Sequence, residues 1–209
     1  MDRAPRYLTL AVFLAGTASA AAETLDDPAK SYLNRFAVES PFTGIIEYVS
    51  DDYSRVEGQR IFSSAQPFAS GGGATIKFGG ITVNLYGVSA CPSDAPIQVF
   101  IYQGPCNGAL PQYIDTELSL SPIVICRAFK KYAELAVQDA TCWSLYTVGG
   151  AAIVHNVEEA LLKVGAGIAT RRDDGSLLRP DLADAEMFAR KKESLLWNPA
   201  AAAALGDLK

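Results

Sequence analysis

Residues 73–92 read GATIKFGGITVNLYGVSACP. Ala74–Phe78 and Ile81–Val88 are short runs rich in β-branched and apolar residues, and Gly79-Gly80 between them can adopt the positive φ of a tight turn. Together they predict a β-hairpin. Strand-like runs continue on both sides: Ile45–Val49 and Arg60–Ser64 before it, then Ile97–Tyr102, Ile123–Phe129 and Cys142–Val148 after it. A loop holding Gly104-Pro105-Cys106 and an unassigned stretch, Leu110–Leu120, interrupt the series. Five or six short strands with glycine-rich corners predict a small barrel. The period then changes. Val157, Ala160, Leu161 and Val164 recur at helical spacing, as do Leu182, Ala185, Ala189 and Leu196. Pro180 stands at the start of the last helix, Asp181 and Asp184 lie in its first turns, and Arg190, Lys191 and Lys192 lie towards its end. That is the charge order the helix dipole favours, so this basic cluster needs no ligand to explain it. The expected class is α+β, with helices mostly C-terminal.

The start of the chain carries Arg3 and Arg6, an apolar run from Tyr7 to Gly16, and Ala18-Ser19-Ala20. This is the layout of a secretory signal peptide cleaved after Ala20. The apolar run falls short of the roughly 18 residues a bilayer-spanning helix needs, and no later segment approaches that length. A periplasmic or secreted location is expected. Removing residues 1–20 takes away Asp2, Arg3 and Arg6, so the net charge moves from −5 to −6. An acidic body argues against general nucleic-acid binding, where Lys and Arg neutralise phosphates. Four cysteines, Cys91, Cys106, Cys126 and Cys142, allow three connectivities in an oxidising compartment. Cys126 and Cys142 flank Glu134 symmetrically within a predicted hairpin, which favours pairing 126 with 142 and 91 with 106. Zinc is disfavoured, since no C-x-x-C pair occurs and His155 is the one histidine. Residues 21–43 read as a lead-in with one helical turn near Tyr32–Phe36, residues 44–197 as one domain, and 198–209 as a flexible tail.

The 73–92 stretch resembles the opening strands of the staphylococcal-type thermonuclease domain, where G-D-T, a short strand, a glycine turn and I/V-R-L-x-G-I-D-A-P-E follow one another. Downstream, Thr147-Val148-Gly149-Gly150 is similar to the strand end and turn before that family's helix. Asn156–Gly167 is similar to its N-x-x-L-V-x-x-G-x-A helix, and Ala183–Trp197 to its closing A-E-x-x-A-R-x-x-x-x-G-L-W helix. The resemblance covers about residues 65–197. It implies a five-stranded OB-type β-barrel packed against about three helices. It also allows the family's chemistry to be checked position by position. Carboxylates that would hold Ca²⁺ fall on Ala74 and Ser89, and the general base falls on Pro92. The two arginines that would brace the phosphate fall on Asn84 and Thr141. All five roles are vacant, so the resemblance implies a domain that has lost phosphodiesterase activity and needs no cofactor.

The expected function is therefore that of a non-catalytic binding or accessory protein of the cell envelope. Its partner would be a saccharide or an envelope protein, and a role in extracellular polysaccharide production fits. The alternative is a divergent Ca²⁺-dependent nuclease with a relocated site drawn from Asp51, Asp52, Asp94, Asp115 and Glu117; an unrelated activity or structural role is the third. Lys130, Lys131, Arg171 and Arg172 are candidate contacts for an anionic polymer, although charge pairs at turns are commonly just solvated. His155, before Asn156 at a strand-to-helix junction, reads as a capping or loop residue because no nucleophile motif accompanies it. Gly71-Gly72-Gly73 lacks the Lys-Ser/Thr ending of a P-loop and reads as a flexible corner.

Overall fold

The structure, a computed structural model, describes residues 41–148 and 151–201. The expected signal peptide, the turn at 32–36, the glycines at 149 and 150, and residues 202–209 lie outside the described residues. Among the described residues twelve strands are formed: β1 (Phe42–Val49), β2 (Val56–Ser64), β3 (Ala69–Ser70), β4 (Thr75–Phe78), β5 (Ile81–Leu85), β6 (Val88–Ser89), β7 (Pro96–Val99), β8 (Tyr102–Pro105), β9 (Ile123–Phe129), β10 (Val137–Val148), β11 (Ala151–Asn156) and β12 (Ile168–Ala169). Three α-helices accompany them: α1 (Ala109–Ser119), α2 (Val157–Lys163) and α3 (Ala183–Lys191). The class is α+β, and two of the three helices follow the last long strand.

The main sheet has eight strands in the order β2-β1-β9-β10-β5-β4-β3, with β11 paired to the far half of β10. It is mixed. β1 runs parallel to β9 and β5 parallel to β10, while the other pairs are antiparallel. A flat sheet of that order would hold β2 and β3 about 29 Å apart, six spacings of about 4.8 Å. Yet Ser64 ends β2 and Ala69 begins β3, and five residue steps span at most about 18 Å. The sheet is therefore rolled until its two edges approach. Three rings fill the approach: Phe78 of β4 packs on Phe68 at 4.8 Å and on Phe62 of β2 at 5.8 Å between centroids. Gly44 of β1 lies under the Phe78 ring, where any Cβ would overlap it and come within 3.1 Å of Phe68 Cε2. Among the described residues no strand pairing joins β2 to β3, so side chains rather than a hydrogen-bond ladder bring the edges together.

Alternation along the strands divides residues between two faces. Ile46 and Tyr48 of β1, Val124, Cys126 and Ala128 of β9, and Cys142 of β10 enter the main core with Ile76, Phe78, Val83 and Leu85. Helix α1 enters it through Leu110, Ile114 and Leu118, spaced four apart, and α2 through Leu161 and Leu162. The opposite face carries a second buried cluster, Ile45, Ile123, Ile125 and Leu145, flanked by Trp143 and Val154. That explains why Ile123–Cys126 is apolar at every position: both faces of the strand are buried there. Helix α2 is capped by Asn156, whose Oδ1 accepts from Glu159 N at 2.8 Å, and α3 has the acid-first, base-last order expected.

Both disulfides form as expected, Cys91–Cys106 and Cys126–Cys142. The second ties β9 to β10 at directly opposed positions. Several expectations change. Leu110–Leu120 is largely helix α1, Ile97–Tyr102 is split into the hairpin β7–β8, and β10 starts five residues before Cys142. Strand β1 begins at Phe42, two residues before the expected domain start, and Ala201 is buried in the main core, beyond the expected domain end.

Because Gly44 is the point over which the rolled sheet is packed, Gly44→Ala is expected to lower stability by about 1–3 kcal/mol, the usual cost of overpacking. Urea unfolding of the two proteins measures it.

Candidate functional site: an aromatic cleft on the outer face of the sheet

The outward residues of β9 and β10 turn from apolar to mixed as the strands pass the second cluster. After Ile125 come Arg127 and Phe129, and before Leu145 come Trp143, Thr141 and Asp139. With Tyr53, Tyr86, Tyr132 and Arg179 they line a cleft of about 590 Å³. Its floor holds a buried ion pair, Arg127 Nε to Glu47 Oε2 at 2.7 Å, and the Arg127 guanidinium lies 5.4 Å from the Trp143 ring centroid.

The β1–β2 loop supplies the first wall. Asp52 accepts hydrogen bonds from the hydroxyls of Ser50 (2.6 Å) and Ser54 (2.7 Å) and from the Ser54 N–H (3.0 Å). These donors hold its carboxyl at about 2, well below the usual range. The turn so fixed places Tyr53 at φ 60°, with its ring edge-on to Phe129 at 5.1 Å. Burial raises the Tyr53 phenol above its ordinary value. Phe129 in turn meets Tyr132 at 6.3 Å, so three rings form one side.

Arg179, from the loop between α2 and α3, supplies the other wall. It donates to Thr141 Oγ1 at 3.0 Å and to the Tyr86 carbonyl at 3.4 Å, and pairs with Asp181. Gly87, at φ 89°, makes this possible, since a Cβ there would lie 2.7 Å from Arg179 Cγ. On the neighbouring strand Asn84 Nδ2 donates to Asp139 Oδ1 at 2.7 Å. Behind Thr141, Glu158 of α2 is fully buried, and both its oxygens lie within hydrogen-bond reach of Cys142 N (3.0 and 3.2 Å). Burial pushes its carboxyl from 4.5 up to about 8, against the opposing pull of its backbone hydrogen bonds and of Arg179.

The five positions at which the family resemblance places catalytic roles are not gathered at this cleft. Thr141 lines it, and Asn84 holds one of its residues. Ser89 and Pro92 line a separate slot with Arg171, Arg190 and Trp197, and Ser89 Oγ donates to the Ile168 carbonyl at 3.2 Å. Ala74 is buried, its carbonyl accepting from Leu85 N at 2.8 Å. The candidate polymer contacts also separate. Lys131 pairs with Asp51 at 3.0 Å and lies over the rings of Phe129 and Tyr132, two residues of the cleft lining, while Lys130 lies over Tyr48. Arg171 pairs with Glu186 at 3.1 Å, and Arg172 is spent on its own loop, bonding Ser176 Oγ and the carbonyls of Leu177 and Leu178.

The carboxylates considered for a relocated metal site have separate duties. Asp51 and Asp52 belong to the β1–β2 turn, Asp115 accepts from Ser70 N at 2.6 Å, and Glu117 accepts from Ser144 Oγ at 2.5 Å. Asp94 lies by the β7–β8 hairpin. Among the described residues no three His, Cys, Asp or Glu side chains come together where they could hold a metal ion. His155 is neither cap nor loop: it lies in β11, with Nδ1 2.9 Å from Tyr146 Oη and 3.6 Å from Glu117, and the capping is done by Asn156. Gly72 and Gly73 take φ 96° and 57° in the corner before β4. Among the described residues no helix is long and apolar enough to cross a membrane.

Five aromatic walls and two cleft arginines went unremarked in the sequence. For Arg127, Phe129, Asp139, Thr141 and Trp143 a signal existed, since they occupy alternate positions of two strands and share one face. For Tyr53 and Arg179 none did, because each is delivered by a loop from a distant part of the chain. No protein-family model and no curated protein matches this chain.

Glu158 gives the cleft a pH signature. The folded protein keeps its proton up to about pH 8, whereas the unfolded chain releases it near 4.5, so the unfolded state is favoured progressively between those values. Stability is full below about pH 4.5 with respect to this group and falls as pH rises through about 8. Glu158→Gln keeps an acceptor for Cys142 N and is expected to flatten that fall; urea midpoints near pH 5 and near pH 9 compare the two proteins.

Proposed function

We propose that the chain is an exported domain of thermonuclease type that has lost phosphodiester hydrolysis and binds a ligand in the aromatic cleft, with an oligosaccharide of the cell envelope as the favoured class. The observation that carries this is the state of the two positions expected to brace a phosphate. Asn84 is bonded to Asp139 and Thr141 to Arg179, so each is satisfied within the protein, and Asp139 adds a carboxylate to the cleft lining. A phosphodiester would meet that charge without a metal-ligand cluster among the described residues to offset it.

The lining favours a different ligand. Tyr53, Tyr86, Tyr132 and Trp143 offer apolar ring faces with polar edges, and Asp139, Thr141 and Arg179 offer directed hydrogen-bonding groups between them. A sugar ring presents C–H faces to such rings and hydroxyls to such groups. The rolled sheet, with β10 parallel to β5 and antiparallel to β9, supports an OB-type barrel as its origin, a platform that binds oligosaccharides as well as oligonucleotides. Two disulfides support an oxidising compartment, in keeping with the signal-like start of the chain. An accessory role in extracellular polysaccharide production fits both.

The processed chain, assayed on single- and double-stranded DNA with Ca²⁺ and with chelator, is expected to cleave neither. Cleavage that chelator abolishes would instead establish the divergent nuclease and require a relocated metal site.

A further inference from the structure

The hairpin β7–β8 does nothing for the cleft, yet it is built with care. Its inward side chains, Ile97, Val99 and Tyr102, are buried right up to the turn. The disulfide Cys91–Cys106 closes the loop that contains it, Tyr102 Oη donates to the Pro105 carbonyl at 2.5 Å, and Cys106 N and Asn107 N bond the carbonyls of Ala95 and Ser93. At the tip, where Val99 pairs with Tyr102, the two turn residues are Phe100 and Ile101. They are 77% and 95% exposed, the two highest values among the exposed large apolar residues. Phe100 moreover stands at φ 52°, a conformation in which glycine or asparagine is the easier residue. A turn of this kind needs neither exposure of apolar bulk nor a bulky residue in the left-handed region. Both have been accepted at one rigidly held point.

The surroundings indicate what the tip meets. Every residue from Ala95 to Ile114 is uncharged, so the hairpin and the chain flanking it carry no Lys or Arg to seek anionic groups and no charge of their own to be stripped of water. Protein interfaces surround an apolar knob with a polar rim of far larger area, around 800 Å² per partner. Two protruding side chains on a neutral hairpin instead suit the headgroup boundary of a bilayer, which requires no matched shape. We propose that Phe100 and Ile101 form a shallow membrane-insertion tip that holds the exported domain reversibly against a lipid surface. Insertion is shallow because the turn's own backbone groups must stay within reach of water. Attraction comes from apolar burial alone, so it does not depend on anionic lipid or on low salt.

The test uses the processed chain recovered after export, sedimented with vesicles of pure phosphatidylcholine. Saturable co-sedimentation, unchanged by added salt, is expected. The double variant Phe100→Gly, Ile101→Ser relieves the positive φ and removes no buried group, so its unfolding midpoint should match or exceed that of the parent. Its partition to vesicles should fall at least about tenfold, since each buried side chain is worth roughly ten- to a hundredfold. Ile101→Trp should show a blue shift in emission on adding vesicles. Failure of the parent to sediment at any lipid concentration, or equal sedimentation of the double variant, would overturn the proposal. So would capture of a partner protein through the tip without any affinity for lipid.

Discussion

The roll of the main sheet is the constraint on which everything else depends. Two strands at opposite edges of a seven-strand path are joined by only four residues, so the sheet cannot lie open. The Phe62–Phe68–Phe78 cluster fills the approach, and Gly44 leaves room for it. Rolling gives the sheet an inside, which the main core and helix α1 occupy. It also gives an outside, where alternate residues of β1, β9 and β10 must be covered or must serve.

The outer face does both. Its first half, around Ile45, Ile125 and Leu145, is buried apolar surface. Its second half is the cleft, where the same alternation delivers Arg127, Phe129, Thr141 and Trp143. Loops then close the sides: the Asp52-centred turn brings Tyr53, and the loop before α3 brings Arg179. The chemistry of the cleft follows from these neighbours. Its arginines are paired, Arg127 with Glu47 and Arg179 with Asp181, Asp139 accepts from Asn84, and Tyr53, Tyr86 and Tyr132 stay partly exposed along its walls. The buried Glu158 sits behind this wall, coupling the stability of α2 and β10 to pH.

Much of this was legible in the sequence, for physical reasons that differ by element. The run 123–129 and the Gly79-Gly80 turn announce themselves because burial on both faces and a forced positive φ leave few alternatives. The cysteine pairing was legible because it joins residues symmetric about one hairpin. Helix α1 escaped notice because Pro111 and Gly108 mask the four-residue spacing of Leu110, Ile114 and Leu118. The start of β10 escaped because Gln138 and Asp139 look like loop residues; Gln138 is in fact buried, donating to the carbonyls of Ala133 and Leu135. Asn84 and Thr141 were reached through the motif resemblance and prove to lie at the cleft, whereas Ser89 and Pro92 prove to lie elsewhere. Arg179 could not have been found, since its partner Thr141 is 38 residues away and a loop conformation decides their meeting.

Trp143 lines the cleft and so reports directly on the ligand binding proposed for it. The chain has two tryptophans, so Trp197→Phe leaves Trp143 as the sole tryptophan, whose emission is excited selectively over that of the tyrosines. Titrated with a panel of neutral and acidic oligosaccharides, this protein should show a saturable change in emission with at least one of them. Arg179→Ala on the same background should weaken that binding about tenfold, as expected for loss of a charged hydrogen-bond donor. Absence of any saturable change across the panel, or an affinity indifferent to Arg179, would contradict the account.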